Sequence, residues 1–130
     1  MKMKQLLQET KTIAVVGLSN KPDRPSYGVT KYMQAHGYKI IPVNPSCSEI
    51  LGETCYPDLS SIPFPVDMVN VFRKSEDCLE IAHEAVKIGA KSLWLQMGVI
   101  NQEALDYASA HGLTGIMDQC LMVEHRKLGL

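Results

Sequence analysis

The chain has 130 residues, a formal net charge of −1, and 45% hydrophobic and 21% charged side chains. These values describe one ordinary globular domain over residues 1–130, with its core from about 11 to 128, able to bury that core without covalent staples. There is no basic field to hold a nucleic-acid backbone or an anionic membrane, so any anion binding must be local.

The periodicity then reads as alternating helix and strand. Lys2 to Thr10 is a short helix with Met3, Leu6 and Leu7 on one side. Thr12–Val16 is the first strand, and Ser26–His36 a helix with Val29, Tyr32 and Met33 at helical spacing and Gly37 as its stop. Tyr38–Val43 is the second strand, ended by Asn44-Pro45, and a long loop follows to about Pro57. Asp67–Phe72 is the third strand. Ser75–Ile88 is a helix that Ser75 can cap and Gly89 stops, with Cys78, Ile81, Ala82, Ala85 and Val86 as its buried stripe. Lys91–Gln96 is the fourth strand, turning at Met97-Gly98. Asn101–His111 is a helix capped by Asn101 and stopped by Gly112. Thr114–Met117 is the fifth strand, and Leu121–Leu128 a short amphipathic tail.

Strands separated by helices imply right-handed βαβ units and a parallel sheet. The expected fold is an α/β doubly wound, five-stranded parallel sheet in the order 3-2-1-4-5. Ligands bind beyond the carboxyl ends of the strands at the point where such a sheet switches direction. In this order that point lies between the first and fourth strands, so the loop after Val16 and the turn after Gln96 should share a crevice.

The loop itself looks built for phosphate. Val16-Gly17 ends a strand, and a polar stretch with Ser19, Lys21, Arg24 and Ser26 leads into a helix. The start of a helix leaves backbone N–H groups unpaired and carries partial positive charge. A dinucleotide site of the usual kind is disfavoured: only Gly17 of a G-x-G-x-x-G pattern is present, and no acid follows Val43-Asn44-Pro45. The phosphate-binding pattern G-x-x-x-x-G-K-[ST] is also missing.

Eight pieces in order carry a resemblance. They are Val16-Gly17-Leu18-Ser19, Arg24-Pro25-Ser26-Tyr27, Gly37-Tyr38, Pro42-Val43-Asn44-Pro45, Glu49-Ile50-Leu51-Gly52, Val71-Phe72-Arg73, Trp94-Leu95-Gln96-x-Gly98 and Met117-Asp118-x-Cys120. Together they resemble the small bacterial CoA-binding proteins, whose domain is similar to the N-terminal half of the succinyl-CoA synthetase alpha subunit. The resemblance runs from about Lys11 to Leu128 and implies a Rossmann-like fold with coenzyme A, or an acyl-CoA, as ligand. It implies that Gly17, Leu18, Ser19, Asn20, Lys21, Arg24, Pro25 and Ser26 cradle phosphates and pantetheine. Val43, Asn44, Pro45, Val71, Phe72 and Arg73 flank the adenosine side, and Gln96, Met97, Gly98 and Val99 line the other wall. The synthetase subunit has a second domain with a phosphorylated histidine, and no counterpart is expected in this chain. Gln119 stands where a basic residue is expected in many relatives.

For several of these residues a structural reading competes. Lys21 and Arg24 fit solvated surface charges, Asn44-Pro45 fits a strand terminator, and Trp94 fits the core. His36 and His111 fall in last helical turns, where a cation is favoured. Neither His83 nor His125 has an evident Ser or Cys partner. The four cysteines, Cys47, Cys55, Cys78 and Cys120, make no CxxC pair and no zinc-spaced cluster. The N-terminus lacks a signal-peptide core, and no apolar run approaches the roughly 18 residues that span a bilayer. A cytoplasmic protein with free thiols is therefore expected. No catalytic set is evident, and the leading expectation is non-enzymatic binding of coenzyme A. Two alternatives stay open: a redox-regulatory protein in which a cysteine, Cys120 foremost, forms a mixed disulfide with CoA, and a nucleotide-dependent enzyme completed by a partner. A protein partner or a homo-oligomer is left open.

Overall fold

The computed structural model describes residues 3–130. A parallel five-stranded sheet forms its centre. It is built from β1 (Thr12–Val16), β2 (Lys39–Val43), β5 (Met68–Val71), β6 (Ser92–Leu95) and β7 (Thr114–Ile116). Two short strands, β3 (Glu49–Ile50) and β4 (Glu53–Thr54), make a separate antiparallel hairpin. The helices are α1 (Met3–Glu9), α2 (Pro25–Ala35), α3 (Cys78–Lys87), α4 (Gln102–Ala110) and α5 (Leu121–Lys127). Lys2, the expected first residue of the first helix, lies outside the described residues.

Side-chain alternation along the strands splits the core in two. Ala14, Val16, Val69, Val71, Leu93 and Leu95 face α3 and α4. Ile13, Val15, Met68 and Trp94 face the layer that holds α1, α2 and α5. Both faces of the sheet are therefore covered, which is why its strands read as nearly continuous apolar runs. Trp94 is fully buried, and its indole Nε1–H donates to the Gln119 carbonyl at 2.8 Å.

The sheet is parallel and doubly wound as expected, but its order is β2-β1-β5-β6-β7. Counting only these five strands along the chain, this is 2-1-3-4-5, which corrects the expected 3-2-1-4-5. The cause lies in the segment between β2 and β5. No α-helix lies there to carry a third strand over β2; the chain instead forms the β3–β4 hairpin and a 3₁₀ turn at Leu59–Ser61. The segment after the hairpin folds back on β2 and occupies its outer edge. Tyr56 N–H donates to the Pro42 carbonyl at 3.0 Å, and Asn44 N–H donates to the Tyr56 carbonyl at 3.0 Å. The third strand is therefore placed on the other side of β1. Asp67 fixes it there: Oδ2 accepts the Lys11 and Thr12 amides at 2.9 and 3.2 Å, and Thr12 Oγ1 accepts the Asp67 amide at 2.9 Å. Burial alone would raise the Asp67 pKa, but these amides and the Lys91 ammonium hold it below its ordinary value.

The helix boundaries follow their signals. Asn101 caps α4 through Oδ1, which accepts Ala104 N–H at 2.9 Å. Gly37, Gly89 and Gly112 follow their helices with positive φ. His36 and His111 are C-cap residues whose Nδ1 atoms bond the carbonyls of Tyr32 and Tyr107 at 2.8 and 2.9 Å. The helix expected from Ser75 instead opens with a 3₁₀ turn at Ser75–Asp77. The Ser75 hydroxyl does not cap α3, but accepts Ile100 N–H at 2.9 Å.

Helices α2 and α5 meet at His125, whose ring is buried and whose Nδ1 lies 2.9 Å from the Tyr32 hydroxyl. The His36 ring lies 5.0 Å away, centroid to centroid. Burial, then the neighbouring His36, lower the His125 pKa from its ordinary 6.5. Below 6.5 the unfolded chain therefore binds a proton that the folded chain resists, and the fold loses stability as the pH falls from that value towards the lowered one. Denaturant melts at about pH 7.5 and about pH 5.5 are expected to show this loss, and His125→Gln is expected to flatten it. An equal loss in the variant would assign the effect to other groups.

Candidate functional site

The reversal of crossover direction falls between β1 and β5, so the loops after Val16 and Val71 meet there. The ladder continues past the strand ends, with Phe72 N–H donating to the Val16 carbonyl at 2.9 Å and Gly17 N–H to the Val43 carbonyl at 3.1 Å. Gly17 has φ +85, and a Cβ there would stand 2.8 Å from the Phe72 carbonyl oxygen and 2.9 Å from Arg73 Cδ. Only glycine suits both the left-handed backbone and the close approach of the two loops.

A cleft of about 770 Å³ opens at this point, within the range of small-molecule sites. Gly17 and Ser19 line it from the first loop, and Arg24, Pro25, Ser26, Gly28 and Val29 from the start of α2. Phe72 and Arg73 line it beyond β5. Gln96, Met97 and Val99 form the wall beyond β6, joined by Cys120 and Met122 at the start of α5. The turn after Gln96 thus borders the crevice, as expected, although β6 is not the strand next to β1.

The α2 end of the cleft has the chemistry of an anion site. Arg24 is the N-cap residue but makes no side-chain cap, Pro25 at the first helical position has no N–H, and the first turn contains no acid. The first turn of this helix thus holds no carboxylate, although Asp23 directly precedes the N-cap, whereas α3, α4 and α5 each carry a Glu in the first turn. Ser26 is buried, and its Oγ accepts Ser19 N–H at 3.0 Å. Ser19 Oγ in turn accepts Lys21 N–H at 3.1 Å. These bonds fold the loop over the helix end. The Arg24 side chain is exposed at the rim.

Several expected residues lie elsewhere. Leu18 and Val71 are fully buried in the core. Asn20 and Lys21 are exposed on the outside of the loop and do not line the cleft. Asn44 braces the site from behind: Nδ2 donates to the Leu18 carbonyl and Oδ1 accepts Ser46 N–H, both at 2.8 Å. Gly98 N–H is taken by Asp118 Oδ1 at 2.7 Å. Val43 and Pro45 border a different crevice of about 200 Å³, on the α3 side of the sheet, with Asp58, Asp77, Glu80 and Glu84. Burial, then Asp58 and Glu80, raise the Glu84 pKa. Arg73 borders both spaces, with Nη2 3.2 Å from Asp77 Oδ2.

Gly28, Val29 and Met122 line the cleft beyond the expected residues. Gly28 had a legible signal: a glycine in the first turns of a helix weakens the helix unless something must approach it. A Cβ at Gly28 would meet nothing within 4 Å.

The thiols are free: Cys47 and Cys55 half-buried, Cys78 and Cys120 buried. Burial, with help from Asp77 and against Arg73, pushes the Cys78 thiol up to about 11. Burial, then Cys47 and Glu49, raise Cys55. Neither has the depressed pKa of a reactive thiol. Among the described residues no group of three or more His, Cys, Asp or Glu could hold a metal ion, and no helix is long and apolar enough to cross a membrane.

Comparison with known proteins agrees with this architecture. The chain is 47% identical over 123 residues to the uncharacterized protein YneT of Bacillus subtilis, covering 95% of this chain and 91% of that one. A hypothetical protein from Pyrococcus horikoshii superposes with a TM-score of 0.94 at 39% identity, over 98% of this chain and 89% of the other. An ADP-forming acetate–CoA ligase II of Archaeoglobus fulgidus is 28% identical over 115 residues, which is 79% of this chain but 17% of the ligase. The model of the CoA binding domain matches residues 11–126, and the chain belongs to that family.

Proposed function

We propose that this protein binds coenzyme A in the 770 Å³ cleft and performs no chemistry of its own. The observation that carries this reading is the α2 N-terminus, uncapped by any side chain and with no acid in its first turn, opening into the cleft beside Arg24. Phosphates sit at this end, held by the Ser26 amide, which has no partner among the described residues, and the Arg24 guanidinium. Pantetheine runs along the apolar wall towards Met122. Family membership supports the ligand class. None of the four histidines lines the cleft, which supports binding without acid–base chemistry. The ligase relative joins acetate to CoA by its name, but this chain spans 17% of its length, so only the CoA-holding part of that activity is carried over.

Arg24→Ala tests the phosphate assignment. CoA affinity is expected to fall about tenfold, and that of dephospho-CoA by less, because Arg24 reads the 3′-phosphate. Equal losses would move the 3′-phosphate away from Arg24, and no loss for either ligand would contradict the α2 end as the phosphate site.

A second reading is favoured by one observation: the buried Cys120 lines the same cleft. In it, the Cys120 thiolate attacks CoA disulfide, a protein–CoA disulfide forms, and one CoA leaves as thiolate to take up a proton. Intact mass after incubation with CoA disulfide decides it. A CoA-sized adduct that reductant removes, and that Cys120→Ser lacks, supports this reading, and an unmodified chain rejects it.

A further inference from the structure

Two large apolar side chains are left uncovered at the far end of the cleft: Met97, which lines it, and Ile100, three residues on along the same turn and outside the lining. Met97 is 62% and Ile100 52% exposed, and they are the large apolar side chains exposed among the described residues. Both sit on the turn after β6. That turn is pinned along its length: Gly98 N–H donates to Asp118 Oδ1 at 2.7 Å, Val99 N–H to the Gln96 carbonyl at 2.8 Å, and Ile100 N–H to Ser75 Oγ at 2.9 Å. The exposure therefore belongs to a fixed backbone. Single exposed hydrophobes are ordinary, but two on one pinned turn, continuous with an apolar cleft wall, mark a contact surface. Met97 and Val99 line the cleft together with Met122 of α5.

Between this end and the phosphate end sits Gln96, 7% exposed. Its Oε1 accepts a long bond from Leu121 N–H at 3.4 Å, and its amide nitrogen has no acceptor among the described residues. Gln96 lines the cleft and its amide nitrogen is left to solvent there, free to donate to a ligand carbonyl.

We propose that the ligand is an acyl thioester of CoA, with its carbonyl at the Gln96 amide and its acyl chain lying over Met97 and Ile100. The inference rests on the CoA reading above and adds the class of acyl group: apolar and longer than acetyl. Methionine suits such a surface because its unbranched side chain adapts to chains of different length.

The test is titration of the full chain with CoA, acetyl-CoA and octanoyl-CoA. Octanoyl-CoA is expected to bind about tenfold more tightly than acetyl-CoA, because its methylenes leave water on the turn. Ile100→Ser is expected to cut that ratio to about threefold, and Met97→Ser to reduce it further. Equal affinities for the three ligands overturn the acyl assignment and leave the CoA reading standing, whereas failure of all three to bind overturns both. If sedimentation shows that Ile100→Ser turns an associating chain into a monomer without changing the ratio, the turn is an interface between copies and the acyl assignment falls.

Discussion

A Gly28→Leu chain is expected to fold normally and to bind CoA roughly a hundredfold more weakly. Gly28 lies on α2 and lines the cleft, and an added side chain would point into open space rather than into protein. The fold has nothing to lose by the change. Leucine is a better helix former than glycine by roughly 0.8 kcal/mol, so the melting temperature should hold or rise. The loss falls on the ligand, whose backbone-close path along α2 the side chain would fill. Gly28→Ala separates the two effects: the same helix gain, with one methyl group in the cleft and a smaller loss of affinity. Calorimetry and a thermal melt on the same samples check both. Unchanged affinity in a normally folded Gly28→Leu chain would put the ligand elsewhere.

Gly17→Ala is expected to act on the fold itself. A Cβ at Gly17 needs a left-handed backbone, φ +85, and would stand 2.8 Å from the Phe72 carbonyl oxygen, which cannot rotate away. The backbone cost is about 1–2 kcal/mol, and forced repacking adds about 1–3 kcal/mol, so a loss of roughly 2–4 kcal/mol is expected. Against the roughly 5–15 kcal/mol by which such domains are stable, that is a large share. Urea denaturation measures it. A loss below about 0.5 kcal/mol would mean that the β1 and β5 loops part easily, and the cleft floor would not be the fixed surface described above.

The element pattern is readable because the inner strands β1, β5 and β6 are buried on both faces and each of α2, α3 and α4 is followed by a glycine with positive φ. The strand order was misread because it depends on what fills the outer edge of β2. That edge is closed by Tyr56, from a segment that carries no strand periodicity. Glu49-Ile50 and Glu53-Thr54 pair around Leu51-Gly52, a hairpin too short for alternation to reveal. The cleft was legible at Gly17, Ser19, Arg24 and Ser26, where a strand end meets a helix start. Leu18 is in the core rather than on the cleft wall, because one residue's shift along the loop turns a side chain from one to the other. Val43 and Pro45 border the other crevice because the alternation along β2 turns Val43, like Val16 of β1, to the α3 face.

The central claim is that the cleft holds CoA, and calorimetric titration of the nucleotide-stripped protein tests it most directly, with CoA as ligand and dephospho-CoA and NAD as controls. Saturable binding of one CoA per chain is predicted, weaker binding of dephospho-CoA, and none of NAD. Absence of CoA binding, or a preference for NAD, would contradict the account.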